Sequence, residues 1–110
     1  MRSFAIALVV CAMPVAALAQ GGPSFDCAKA TSPVDHAICK APEVAKADRE
    51  MAAVYAALAA RLPAPARADL ANDQVRWIAN RNQVCSGDAG VVANCLKARY
   101  ATRTANLRAL

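Results

Sequence analysis

The chain has 110 residues, a formal net charge of +5, and 57% hydrophobic residues, of which many are alanine. This length corresponds to one small domain, and no basic cluster or aromatic platform typical of nucleic-acid binding is present. The modest basic excess favours solubility and contact with anionic envelope polymers or lipid head groups.

The first 19 residues are typical of a cleavable export signal. Arg2 supplies a positive start, residues 4–10 form an unbroken apolar run, and Ala17-Leu18-Ala19 has the small-x-small pattern that signal peptidase recognises. The apolar run is shorter than the about 20 residues that a membrane-spanning helix needs. We therefore predict cleavage after Ala19, a periplasmic or secreted location, and no transmembrane segment in the mature chain.

Residues 20–30 are predicted to be a leader segment, loose at its Gly-Gly-Pro start, and residues 31–110 a single helical domain. The first helix begins at Ser32-Pro33-Val34-Asp35, because Ser32 can cap it, proline suits its first position and Asp35 can complete a capping box. Pro42 ends this helix and opens the second one, at about residues 42–62. The second helix has one apolar stripe at helical spacing, formed by Val44, Met51, Val54, Tyr55, Leu58 and Leu62.

Pro63 and Pro65 interrupt the helical pattern, and two further helices follow. The third, at about residues 66–84, is predicted to present one face formed by Leu70, Trp77, Ile78 and Val84. The fourth, at about residues 91–109, follows a glycine-containing turn and presents Val92, Leu96, Tyr100, Leu107 and Leu110. No alternating strand pattern occurs, so we predict an all-α fold, a small disulfide-stapled helical hairpin or bundle of three to four helices.

Four cysteines remain after the predicted cleavage: Cys27, Cys39, Cys85 and Cys95. An oxidising compartment and an even count favour two disulfides. Of the three possible pairings we favour the local one, Cys27–Cys39 with Cys85–Cys95. The second pair flanks the glycine-containing turn, and the first flanks the start of the first helix. Metal ligation involving His36, or a redox role, has less support because the chain has one histidine and no C-x-x-C motif; we predict no metal and no cofactor.

Five polar side chains interrupt the apolar stripes: Asp48, Tyr55, Gln74, Arg81 and Arg103. One hypothesis is a structural network in which Asp48 accepts hydrogen bonds from Arg81 or Arg103 and so fixes the helix register. The alternative is that both arginines cover the core with their aliphatic parts and place their guanidinium groups in solvent. Trp77 and Tyr100 are predicted to be core anchors, although Trp77 is also the residue type that anchors a partner protein.

The chain shows no arrangement typical of catalysis. Asp35 and His36 are adjacent, so their side chains point in different directions on a helix. No serine or cysteine nucleophile occurs with a matched base, and no glycine-rich phosphate loop is present. We therefore expect a binding protein rather than an enzyme.

Four stretches of the chain resemble the LprI-like lysozyme-inhibitor domain family: FDCAKATSPVDHAIC, ADREMAAVYAAL, QVRWIANRNQVC and CLKARYATRTANL. The resemblance extends from Phe25 to Leu110 and includes a Q-x-x-W-x-x-x-R-x-x-x-C run and a C-L-x-x-x-Y-x-x-R run. The chain departs from the family pattern at Ala47, where members often have leucine, and at Asp35, where they usually have glutamate.

The resemblance implies a small exported helical domain with disulfide-bonded cysteines. It further implies that the domain blocks a lysozyme or related muramidase by protein–protein contact. The alternative is a non-inhibitory periplasmic module that binds peptidoglycan, anionic lipid or another exported protein.

Overall fold

The computed structural model describes residues 22–110, so the predicted export signal and its cleavage point lie outside the described residues. A short 3-10 helix at Cys27–Lys29 precedes four α-helices: α1 Pro33–Lys40, α2 Pro42–Arg61, α3 Ala64–Val84 and α4 Ala89–Arg108. Residues 22–110 contain no strand, and the predicted all-α class is confirmed. Within the same range, no helix combines the length and the apolar character that a membrane span requires.

The helix starts follow from capping serine and proline residues. Ser32 Oγ accepts a hydrogen bond from the Asp35 amide at 3.0 Å, and proline occupies the first turn of α1 as predicted. α3 begins at Ala64, two residues before the predicted start, and includes Pro65 in its first turn. Proline is tolerated there because the amides of the first turn have no acceptor within the helix. α4 likewise begins earlier than predicted, at Ala89.

The apolar core lies mainly between α2 and α4, the two helices that pack most closely, and α1 packs against both. The predicted stripes of α2 and α4 form most of this core, except that Leu110 is 72% exposed. The buried hydrophobic residues are Val34, Ile38, Val44, Ala45, Met51, Leu58, Leu70, Cys85, Val92, Leu96, Tyr100 and Leu107.

α3 buries fewer residues than α2 or α4 does, since Leu70 and Arg81 are its only fully buried residues. The prediction that Ile78 and Val84 face the core was wrong, because their exposed fractions are 37% and 51%. Ile78 follows Trp77 by one residue and therefore lies about 100° further around the helix. Val84 is the last residue of α3. Long polar and aromatic side chains, described below, connect α3 to its neighbours.

The local disulfide pairing is confirmed. Cys27 and Cys39 join the 3-10 helix to α1 across 12 residues, and Cys85 and Cys95 join the end of α3 to α4 across ten residues. The Cα–Cα distances of 5.9 and 5.5 Å lie within the normal range for disulfides. Residues 22–110 contain no cluster of three or more side chains able to hold a metal ion.

The leader is held against α2, which corrects the prediction of a loose segment for residues 22–24. The Ser24 amide donates to the Asp48 carboxylate, and the Arg49 guanidinium donates to the Gly22 carbonyl. The leader therefore adds a hydrogen bond to a buried charge, which connects it to the polar site inside the domain.

Candidate functional site

A buried hydrogen-bond chain joins three helices at Asp48 of α2, Tyr100 of α4 and Arg81 of α3. The Tyr100 hydroxyl donates to Asp48 Oδ1 at 2.8 Å and accepts from Arg81 Nη1 at 2.8 Å. The exposed fractions of the three residues are 3%, 0% and 4%. The two buried charges are thus connected through a neutral hydroxyl group.

The sequence positions these three side chains toward the core. Asp48 lies four residues after Val44, Arg81 lies four residues after Trp77, and Tyr100 lies four residues after the buried Leu96. Residues four apart lie on the same side of an α-helix. Each polar group therefore points inward with the apolar stripe of its own helix.

Arg81 has further partners that use the rest of its guanidinium group. Its Nη2 lies 3.4 Å from Asp35 Oδ1 of α1, and Nε and Nη2 donate to Asn82 Oδ1 at 3.1 and 2.9 Å. The guanidinium carbon lies 5.7 Å from the centre of the Trp77 ring and 5.9 Å from that of Tyr100, within cation–π range. A buried arginine with this many partners avoids the large cost of an unpaired charge.

Arg103 of α4 forms a second polar cluster beside the first. Its Nε donates to Gln74 Oε1 at 3.0 Å, and Gln74 Nε2 donates to the Met51 sulfur at 3.7 Å. Its Nη2 lies 2.9 Å from Asp73 Oδ2, an ion-pair distance, although the N–H groups are not aligned for a hydrogen bond. Trp77 separates the two arginines, and its ring centre lies 6.0 Å from the Arg103 guanidinium carbon.

The structure places the five polar residues of the predicted network in one region, with contacts that differ from those predicted. Asp48 accepts from Tyr100 rather than from an arginine, so a residue predicted to be a core anchor forms the central link. Gln74 pairs with Arg103. Tyr55 lines the cleft between α2 and α3 next to them.

Sequence reasoning did not find three of the partners in this region: Asp35, Asn82 and Asp73. The sequence pattern indicates a capping role for Asp35 and assigns no contact to Asp73. Asp73 is half-exposed and Asp35 is partly exposed, so neither interrupts an apolar stripe. The position of α3 relative to α1 brings Asp35 close to Arg81, and its position relative to α4 brings Asp73 close to Arg103.

The chemistry of the site is that of a structural connection. Burial, and next to it the Asp48 carboxylate, raise the pKa of the Tyr100 hydroxyl above its ordinary value, although Arg81 acts in the opposite direction. The hydroxyl therefore stays protonated at neutral pH and remains a donor to Asp48. A cleft of about 300 Å³ opens beside these groups between α2 and α3. The charged groups that line it are engaged with one another and with Tyr100.

A family model described as "Lysozyme inhibitor LprI" matches residues 27–107, from the short 3-10 helix to the last turn of α4. Comparison with curated proteins finds no match, and neither does comparison with solved structures. The matched range contains both disulfides and the whole hydrogen-bond chain of Asp48, Tyr100 and Arg81.

Proposed function

Because the chain belongs to the LprI family of lysozyme inhibitors, we propose that it is exported and blocks a lysozyme or related muramidase by direct contact between the two proteins. The family match over residues 27–107 is the observation that supports this function. It agrees with the resemblance of the sequence motifs to that family. The match is to an inhibitor family, which supports binding rather than catalysis.

The described fold suits a protein that acts by binding. Two disulfides and a buried hydrogen-bond chain connect the 3-10 helix and the four α-helices. A rigid surface loses little conformational entropy when it binds, and the affinity is higher for that reason.

Charge bears on the choice of target. The whole chain has a net charge of +5, and loss of Arg2 with the signal leaves 5 − 1 = +4; α4 contributes Lys97, Arg99, Arg103 and Arg108 without any acidic residue. Long-range attraction therefore favours a muramidase with an acidic surface or an acidic patch, whereas a strongly basic lysozyme is repelled at a distance. A panel of targets should include enzymes of both kinds.

Export by a cleavable signal is part of the proposal. Residues 1–19 have the pattern of such a signal, and cleavage after Ala19 produces a chain that begins at Gln20. Intact mass and N-terminal sequence of protein recovered from the periplasm or medium test this directly. A chain that retains residues 1–19 would contradict it.

The inhibition experiment uses oxidised protein spanning residues 20–110 against animal-type, goose-type and bacterial muramidases. Slower lysis of cell walls at micromolar inhibitor is the expected result, and reduced and alkylated protein is the control. A soluble oligosaccharide substrate separates inhibition of the enzyme from coating of the wall. If no enzyme is slowed on either substrate, the proposed function is wrong.

The same assay identifies the alternative function. A non-inhibitory envelope module would slow lysis of walls only, with no effect on the soluble substrate. Retention by cell-wall material or anionic vesicles at low salt, lost at high salt, would then support a binding role in the envelope.

A further inference from the structure

We propose that a groove between α1 and the α3–α4 turn is the surface that binds the muramidase, and that it receives a carboxylate-bearing surface segment of that enzyme. This inference rests on the proposed function and specifies its contact. The groove, called here the turn-end groove, has a volume of about 580 Å³. Its main lining residues are Val34, Ala37, Lys40, Cys85, Val92 and Ala93.

Each wall of the turn-end groove is held by a disulfide. Cys39 belongs to α1, which forms one wall, and is bonded to Cys27 of the 3-10 helix. Cys85 is itself part of the lining and is bonded to Cys95 of α4, which forms the other wall. Each cross-link therefore stabilises one wall, and the packing of α1 against α4 sets the distance between the two walls, so the groove exists when no partner is bound.

Apolar surface continues from the groove onto the tip of the turn. Val91 is 58% exposed, and its Cγ1 lies 3.7 Å from the position that a Cβ of Gly87 would occupy. Gly87 has φ of +114°, a conformation that favours glycine, so the turn is sharp and places Val91 at its edge. Val91 therefore extends the apolar surface of the groove beyond its lining residues.

The charge of the turn-end groove identifies the chemistry of its occupant. Lys40 and His36 lie along one wall, and the lining residues include no aspartate or glutamate. Within residues 22–110, Lys40 forms no ion pair. Two further clefts in the described part of the chain are different, because each contains carboxylates together with an arginine.

A muramidase supplies the complementary group. Glycoside hydrolases place a pair of Asp or Glu carboxylates at the bond that they cleave, so their substrate clefts are a source of negative charge. An apolar side chain in the groove and a carboxylate opposite Lys40 would satisfy both features of this surface. Such a contact also explains how a basic domain recognises its target through a local acidic patch.

The test uses two groove variants with matched controls. Lys40→Glu reverses the charge of the groove, and Ala89→Trp fills it from an exposed lining position at the start of α4. Lys29→Glu and Ala105→Trp make the same changes at exposed positions outside the groove. Circular dichroism and melting temperature verify the fold of all four. Dissociation constants against each muramidase of the panel are then measured by calorimetry at low and high salt.

Both groove variants are expected to bind at least about tenfold more weakly, with the controls within about twofold of the wild type. The Lys40→Glu variant should also show a weaker salt dependence of binding than the wild type. If the wild type binds a muramidase and the groove variants bind it equally well, the groove is not the binding surface, whereas the proposed function is not contradicted. If the wild type binds a muramidase without inhibiting it, the proposed function is wrong, and the affinities of the variants still show whether the groove is the binding surface. If it binds no muramidase, both proposals are refuted.

Discussion

Replacing Tyr100 with phenylalanine tests whether the buried hydroxyl connects the helices as the structure indicates. The substitution keeps the ring, and with it the packing against Trp77 at a centroid distance of 5.4 Å. It removes one hydrogen bond to the Asp48 carboxylate and one from the Arg81 guanidinium, both at 2.8 Å. The substitution therefore removes only the hydrogen bonds of the Tyr100 hydroxyl.

The expected loss of stability follows from the two bonds. A hydrogen bond to a charged group contributes about 1.5–3 kcal/mol, so Tyr100→Phe should lower the free energy of unfolding by at least about 3 kcal/mol. For a domain of this size that corresponds to a fall in Tm of roughly 12–24 °C. Small domains have total stabilities of about 5–15 kcal/mol, so the variant should be marginally folded.

Urea unfolding at pH 7, followed by the fluorescence of Trp77, measures this loss. Tyr55→Phe is the matched control, because it removes a hydroxyl from a half-buried tyrosine outside the hydrogen-bond chain. A double-mutant cycle of Tyr100→Phe with Arg81→Met should show a combined cost smaller than the sum, since the two changes remove a shared bond. A loss below about 1 kcal/mol, equal to that of the control, would refute the structural role of the hydroxyl.

Three further results are expected. First, the raised pKa of Tyr100 means that folding favours the protonated phenol, so this contribution to stability is present below the ordinary pKa of about 10 and is lost as pH rises above it. In Tyr55→Phe protein, tyrosinate absorbance should therefore appear together with unfolding. Its appearance in still-folded protein at pH 10 would contradict this expectation. Second, replacing Cys85 and Cys95 by serine should lower the free energy of unfolding, measured in urea, by about 3 kcal/mol, since the disulfide closes a loop of about ten residues. An unchanged midpoint of the urea transition would count against this. Third, Ser32→Ala should lower the free energy of unfolding by about 1 kcal/mol, measured by thermal unfolding. Ser32→Asp should recover most of this loss, because aspartate restores an oxygen that can cap α1. An alanine variant as stable as the wild type would exclude the cap as a stabilising contact.

The helices and the disulfides could be predicted because their signals are local. The apolar stripe of α2 and the Ser-Pro start of α1 each lie within a few consecutive turns of chain. The pairing of Cys85 with Cys95 followed from their positions on either side of a single turn. The error at the start of α3 came from treating Pro65 as an interruption, although a first turn accepts proline at little cost.

The contacts of the polar site could not be predicted, because they depend on how far apart the helices lie. The sequence shows that Asp48, Arg81 and Arg103 face inward, which was the basis of the network hypothesis. It does not show that the space between α2 and α3 is wide enough for the Tyr100 hydroxyl to separate Asp48 from Arg81. The exposure of Ile78 has a similar origin, because α3 meets its neighbours through long side chains.

The separation of Asp48 from Tyr100 along the chain has a consequence for how an exported protein would assemble. The two residues are 52 positions apart, whereas the disulfides join residues 12 and ten positions apart. As a chain crosses a membrane from its N-terminus, Cys27 and Cys39 can meet while α4 is still on the other side. Asp48 at that stage has no tyrosine partner, and its burial is unfavourable. We therefore expect folding to wait for translocation of α4, and a chain that stops before Ala89 to remain unfolded even after its first disulfide has formed.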